Sequence, residues 1–236
     1  SLQGEGKVYC LGSNTPEVAW DNSNNSGSVD WWRAEHTPVV GGTTFTKGIQ
    51  RLFASAKGLS CILYNRRIIC LGANHNNQVT HTTIQKPNNG GDILYSYSSR
   101  QLRDLSVGES VSCYVEHNGC VRCFGSNFEG QRGNGSRCDH NAGCNQPPPF
   151  STATPISAFC EGENRLGNGE VTTVVVGATH ACASTANGAD VWCWGKTNEG
   201  QAGIIDPNLT HCTCPVEIAF GNENQPSCPQ ECQNGN

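Results

Sequence analysis

The sequence predicts an all-β protein built from repeats, and three observations carry that prediction. A hydrophobic strand ends in Cys-x-Gly four times, at Cys10-Leu11-Gly12, Cys70-Leu71-Gly72, Cys123-Phe124-Gly125 and Cys193-Trp194-Gly195. A Gln follows eight residues after the last three of these cysteines, at Gln78, Gln131 and Gln201. Asn118-Gly119 and Asn187-Gly188 lead into two of the same strands. Self-similarity at a spacing of tens of residues marks a unit that buries its apolar face only against its neighbours.

Each unit reads as three or four short antiparallel strands. In the second, Leu52-Phe53-Ala54 leads to Cys61, and a turn near Asn65 leads to Ile68-Ile69-Cys70. The third runs from Leu105-Ser106-Val107-Gly108 to Cys113, then through Asn118-Gly119 to Val121-Arg122-Cys123. The fourth runs from Val174-Val175-Val176-Gly177 through His180 to Cys182, then through Asn187-Gly188 to Val191-Trp192-Cys193. Asn-Gly between apolar runs predicts a hairpin, because both turn positions accept positive φ. The first unit, Lys7 to Gly12, has no room for preceding strands, whereas Val216-Glu217-Ile218-Ala219-Phe220-Gly221 and Ser227-Cys228 read as strands with no sequel.

This pattern resembles the repeat of the regulator-of-chromosome-condensation family over residues 50–80, 103–133 and 172–203. The resemblance rests on Asn-Gly, Val-x-Cys-x-Gly and the segments Asn127-Phe128-Glu129-Gly130-Gln131 and Asn198-Glu199-Gly200-Gln201. It implies a β-propeller. Joined to the complementary ends, it gives the expectation of one four-bladed domain over 1–236, in which N- and C-terminal strands share a blade. The blades expected are 216–236 with 1–49, then 50–102, 103–170 and 171–215. A propeller by itself fixes no activity.

The 236 residues include 15 Cys and no Met. Cytosolic thiols are kept reduced, so this cysteine density predicts a secreted, extracellular protein whose leader has been removed. Acceptor sequons at Asn24, Asn134 and Asn208 agree with that compartment. Net charge is −5 and the cations are scattered apart from Arg66-Arg67, which argues against a nucleic-acid partner. The longest apolar runs, such as Val174 to Val176, are too short to span a bilayer.

The hairpin register predicts disulfides Cys61–Cys70, Cys113–Cys123 and Cys182–Cys193, since facing positions on adjacent strands come close enough to bridge. By the same register Cys10 pairs with Cys228 and ties the chain ends together. In a chain-entropy model the short loops contribute about 3 kcal/mol each and the near-circular one about 5 kcal/mol. Cys138 and Cys144 are close enough in sequence to close a small loop, which is the pairing expected of them. Cys120, Cys160, Cys212, Cys214 and Cys232 stay unassigned, and the odd total leaves room for a disulfide-linked oligomer.

Function is expected in the long loops at 13–49, 133–170 and 204–215. Trp20, Trp31, Trp32, Arg33 and His36 are the binding candidates, because indoles stack on sugars or partner side chains and Trp and Arg dominate binding energy. The same indoles would serve to pack a loop over a sheet. Cys138-Asp139-His140 and His211-Cys212-Thr213-Cys214 have ligand types of a zinc site, but their spacing matches none and oxidation favours disulfides. No metal or cofactor is expected. His180 falls where the other units place Val111 and Leu59, which predicts a packed side chain. Neither a nucleophile elbow, a zinc-protease helix nor a phosphate loop occurs in the sequence. The expectation is a secreted recognition protein (lectin-like, inhibitor or defensive toxin) that binds a glycan or a protein. A hydrolase at the channel mouth and a structural or storage protein are the alternatives.

Overall fold

The computed structural model describes residues 102–137, 154–162, 165–220 and 226–233, together with strands at 8–10, 34–36, 39–40, 43–44, 49–54, 59–64 and 67–72. The chain divides into two compact units, Ser1–Asn74 with Thr82–Ser99, and His75–His81 with Arg100–Asn236.

In the first unit, β1 (Val8–Cys10) pairs antiparallel with β2 (Ala34–His36), and β3 (Val39–Val40) pairs with β4 (Thr43–Thr44). A three-stranded meander follows, made of β5 (Ile49–Ala54), β6 (Leu59–Tyr64) and β7 (Arg67–Gly72). Cys61 is buried and disulfide-bonded, and it lies directly opposite Cys70 in the ladder.

The second unit holds two four-stranded antiparallel sheets. One is formed by β8 (Leu102–Val107), β9 (Val111–Glu116), β10 (Val121–Gly125) and β11 (Thr154–Pro155), in the order β11-β10-β9-β8. A one-turn helix, α1 (Ser157–Cys160), follows β11. The other sheet runs β12 (Val171–Val176), β13 (His180–Thr185), β14 (Val191–Lys196) and β15 (His211–Glu217) in chain order. The repeat is visible down to its irregularities. β5, β8 and β12 each carry a register shift at the same place, between Ile49 and Arg51, Leu102 and Asp104, and Val171 and Thr173.

The hairpin turns differ from the sequence expectation in one respect. Only the glycines take positive φ, Gly119 at 81° and Gly188 at 66°. Asn118 and Asn187 instead use their side chains, whose Oδ1 atoms accept the N–H of Cys120 at 3.1 Å and of Ala189 at 3.0 Å. A short amide side chain that binds the backbone two residues on mimics a turn by itself, so it needs no left-handed backbone.

The core of this unit lies between its two sheets. Val111, Val115 and Val121 meet Val174, Ala181, Ala183, Trp192 and Trp194, and Phe159 of α1 closes the cluster. Phe159 is fully buried, edge-on to Trp192 with ring centroids 5.5 Å apart and tilted against Trp194 at 6.0 Å. Each such side chain contributes roughly 1.5–3 kcal/mol by leaving water. α1 is too short to stand alone; the Cys120–Cys160 disulfide and Phe159 hold it down.

β12 is the edge strand of its sheet, and its outward backbone groups would be orphaned without partners. Side chains of β8 supply them. The N–H of Val174 donates to Asp104 Oδ2 at 3.0 Å and that of Val176 to Ser106 Oγ at 3.0 Å. Arg103 donates to the carbonyl of Val171 at 3.0 Å. Neighbouring sheets are thus joined by polar rungs as well as by apolar burial.

The end of the chain corrects two expectations. Val216 and Glu217 belong to β15, facing Cys193 and Trp192 of β14, so they do not open the shared blade expected at 216–236. Residues 226–233 then return along β15, with a bridge between Cys212 and Gln233. That return brings Cys228 to Cys212 and Cys232 to Cys214, giving two disulfides two residues apart on one strand. Cys228 therefore does not bond Cys10, and β1 pairs with β2. Register counting failed here because the Cys partner lay on β15, outside the hairpin repeat. Elsewhere Cys113 is bonded to Cys123 and Cys182 to Cys193, with Cα atoms 4.1 Å apart in both.

Candidate functional site

A loop that leaves β10 at residues 126–137 crosses onto the neighbouring sheet and forms the polar seam of the second unit. Its shape comes from two short-range devices. Asn127 Oδ1 accepts the N–H of Arg132 at 2.9 Å, and Gln131 Oε1 accepts the N–H of Glu129 at 2.7 Å. The following repeat reproduces the second, with Gln201 Oε1 accepting from Glu199 N–H at 2.8 Å. The Gln eight residues after Cys123 and the one after Cys193 are thus turn-formers. Glycine is required where the loop touches the next sheet. Gly133, at φ 65°, leaves no room for a Cβ, which would sit 2.7 Å from the Trp194 indole.

Three contacts pin the loop to β14 and β15. Trp194, fully buried, donates its Nε1–H to the carbonyl of Gln131 at 2.9 Å. Gly135 N–H donates to the carbonyl of Thr213 at 2.9 Å. The third contact is an imidazole relay. His211 at the start of β15 faces the Glu129 carboxylate through Nε2. Its Nδ1 lies 2.9 Å from Arg137 Nη1 and 2.8 Å from Thr210 Oγ1. A guanidinium only donates, so Nδ1 is the acceptor and the ring proton sits on Nε2, which donates to Glu129. The imidazole bridges an anion and a cation from the same loop. Glu129 keeps about a third of its side chain in solvent, at 31%, while His211 is nearly covered.

Chemically this seam positions and presents its side chains. Glu129, His211 and Arg137 have each other as partners, and the nearest hydroxyl, Thr210, is bound to the same Nδ1. Among the described residues no group of three or more His, Cys, Asp and Glu is placed to hold a metal ion. No helix among them is long and apolar enough to cross a membrane. Opposite the seam, a second ion pair joins Arg122 Nε to Glu116 at 2.9 Å across the β9–β10 hairpin.

The residues singled out from sequence are distributed unevenly. Trp20, Trp31, Trp32, Arg33, Asn24, Cys138 and Cys144 lie outside the described residues. His36 is in β2, opposite Val8. His180 is half-buried in β13 and lies over Gly177, where an added Cβ would come within 2.6 Å of the ring. Burial lowers its pKa from the ordinary imidazole value. Asn134 is half-buried and Asn208 exposed. Glu129, His211 and Arg137 were not legible as a group. Glu129 and His211 are 82 positions apart and no spacing rule links them.

Comparison with known proteins fits this architecture. Residues 171–201 match the regulator of chromosome condensation (RCC1) repeat, the unit formed by β12, β13 and β14 with its Gln turn. No curated protein matches the chain in sequence. Among solved structures, human WBSCR16 is similar with a TM-score of 0.64 and 15% identity, over 92% of this chain and 50% of that one. Yeast RCC1 (Prp20) bound to Kap60 gives 0.64 and 14%, over 92% and 45%. Prp20p from Saccharomyces cerevisiae, described with its binding to Gsp1p and histones, gives 0.64 and 14%, over 92% and 47%. The chain spans about half the length of these structures. The chain thus carries a segment similar to the RCC1 repeat at 171–201 and shares the β-propeller fold of these structures over nine tenths of its length.

Proposed function

We propose that this chain is a secreted recognition protein, a rigid propeller-type scaffold that binds a protein partner through its inter-sheet loops. The observation that carries the reading is the 126–137 loop, held by Trp194, Thr213 and His211 in one shape with Glu129 partly exposed. A loop ordered in advance loses little conformational entropy on binding, so its contacts convert more fully into affinity. The two Prp20 structures support an interaction role for the fold, since one is bound to Kap60 and the other is described with Gsp1p and histone binding. The disulfides fit an oxidising compartment, which is the ground for secretion.

The test is capture from the native fluid or tissue on the immobilised full chain, followed by calorimetric titration with the captured protein. A single saturable partner supports the reading, and loss of affinity in Glu129→Gln with unchanged thermal stability would place the contact at the seam. The indoles Trp20, Trp31 and Trp32, with Arg33 and His36, favour a second reading as a glycan binder. Binding on a glycan array that disappears in Trp31→Ala would select it over the first.

A further inference from the structure

Resting on the reading of 126–137 as the presenting loop, we propose that His211 is a proton-operated latch, which on protonation exchanges Arg137 for Thr210 and frees the guanidinium. The exchange follows from what each neighbour can give or take. Nδ1 of the neutral ring accepts, with Arg137 Nη1 at 2.9 Å and Thr210 Oγ1 at 2.8 Å, while Nε2 faces Glu129. A second proton, taken from water, enters at Nδ1, and the two neighbours there respond differently. A guanidinium has donors alone, so Nδ1–H and Arg137 become two donors aimed at each other. A hydroxyl can turn from donor to acceptor, so Thr210 receives the new N–H. The ring keeps Glu129, now as a charge-assisted pair.

Charge acts in the same direction. From the loop, His211 faces the Glu129 carboxylate and the Arg137 guanidinium. From β14, Lys196 lies directly opposite it in the ladder. A protonated ring therefore adds a third cation beside one carboxylate. On the segment before β15, Glu199 and Asp206 are exposed, as is Glu231 on the returning segment. That segment bridges to β15 beside His211 through Gln233, which is uncharged.

Arg137 is the cation in contact with the ring, and among the described residues its side chain has no other hydrogen bond or ion pair. The backbone before it stays in place. Gly135 N–H is bound to the Thr213 carbonyl at 2.9 Å, and the Ser136 carbonyl to Asn127 Nδ2 at 2.8 Å. The movement is therefore that of one side chain. Acid replaces a chain of anion, imidazole and cation by a closed pair and a free guanidinium, a fork shaped for a carboxylate on a partner.

The test is nuclear magnetic resonance on the full chain, and it needs no partner, so its failure is distinct from failure of the recognition reading. Nitrogen-15 spectra from about pH 8 to about pH 5 span the range in which imidazole charges. The expected result is a His211 ring with one bare nitrogen at the upper end and both nitrogens protonated at the lower. Over the same titration the Arg137 side-chain signals move to the position of a free guanidinium and gain mobility. The Trp194 Nε1–H, bound to the Gln131 carbonyl, reports whether the loop keeps its shape and should not change. Thr210→Val removes the acceptor for the new proton, and Glu129→Gln removes the anion that the charged ring faces. Each should shift Arg137 release to lower pH. Arg137 still bound beside a doubly protonated ring overturns the proposal. So does a ring that stays singly protonated throughout, loss of the Trp194 signal together with Arg137, or release at an unchanged pH in both variants.

Discussion

The indole of Trp194 donates to the main-chain carbonyl of Gln131, 2.9 Å away, from a ring with no exposure to water. Trp194 sits in β14 of one repeat, and Gln131 forms the loop of the repeat before it. One hydrogen bond therefore ties the tryptophan of Cys-Trp-Gly to the Gln turn of its neighbour. Trp194→Phe keeps most of the ring and strands that carbonyl. We expect a loss of about 1–3 kcal/mol in urea unfolding, the cost of a buried unsatisfied acceptor. Hydrogen exchange should speed up at the amides of Glu129, Arg132 and Gly135, which the loop protects.

Two glycines with nearly the same φ make a controlled pair. Gly133 and Gly188 have φ of 65° and 66°, but an added Cβ meets Trp194 at 2.7 Å in the first and nothing within 4 Å in the second. Gly188→Ala should cost about 1–2 kcal/mol, the penalty for a left-handed L-residue. Gly133→Ala adds a clash with a buried ring and should cost at least about 2 kcal/mol more, read as a lower denaturation midpoint.

Asp104 caps the N–H of Val174 from a position that is itself buried. Asp104→Ala leaves a buried edge donor without its acceptor, and should destabilise the chain by about 2 kcal/mol. Ser106→Ala should cost about 1 kcal/mol by the same argument at Val176. Since the two caps serve neighbouring rungs of one strand, a double-mutant cycle should return a non-zero coupling.

His180 gives stability a definite pH slope. Burial lowers its folded pKa from the ordinary value of 6.5. As pH falls through that value the unfolded chain takes up the proton first, so unfolding gains and the protein loses stability. The loss continues until pH passes the depressed folded value, where the contribution levels off. Thermal melts taken downward from pH 7 should fall more steeply in the native chain than in His180→Gln.

The paired tail disulfides make a separable prediction. Replacing Cys214 and Cys232 by Ala opens a loop of 18 residues, which in the chain-entropy model costs about 3 kcal/mol. Limited proteolysis should then cut first near 226–233, while the Cys113–Cys123 hairpin stays protected.

The hairpins and their cross-strand cysteines were legible in sequence because register within a hairpin is short-range: Cys113 faces Cys123 and Cys182 faces Cys193 by counting from a turn. The return of residues 226–233 was not, since nothing in Ser227-Cys228 distinguishes a strand of a new sheet from a segment folding back on β15. Cys120–Cys160 was hidden for a similar reason, as its partners sit on a turn and on α1, 40 residues apart. The seam shows the limit at side-chain level. Gln131 and Gln201 announced themselves by spacing, yet their task as turn-formers became clear only from the N–H groups of Glu129 and Glu199. His211 stood in view beside Cys212 and Cys214, where ligand chemistry drew notice away from Glu129.

The caps that β8 gives to β12 have a consequence for how such a chain can evolve. In β12 the places matching Asp104 and Ser106 are taken by Thr173 and Val175, both exposed. A copy of the later repeat put in place of the earlier one would exchange the Asp104 carboxylate for a hydroxyl and leave the amide that Ser106 caps facing a valine with no acceptor. The modules look alike but cannot be shuffled, and a one-residue deletion in β8 would turn both polar side chains to the wrong face. Their sequence along the chain is written into the joints between them.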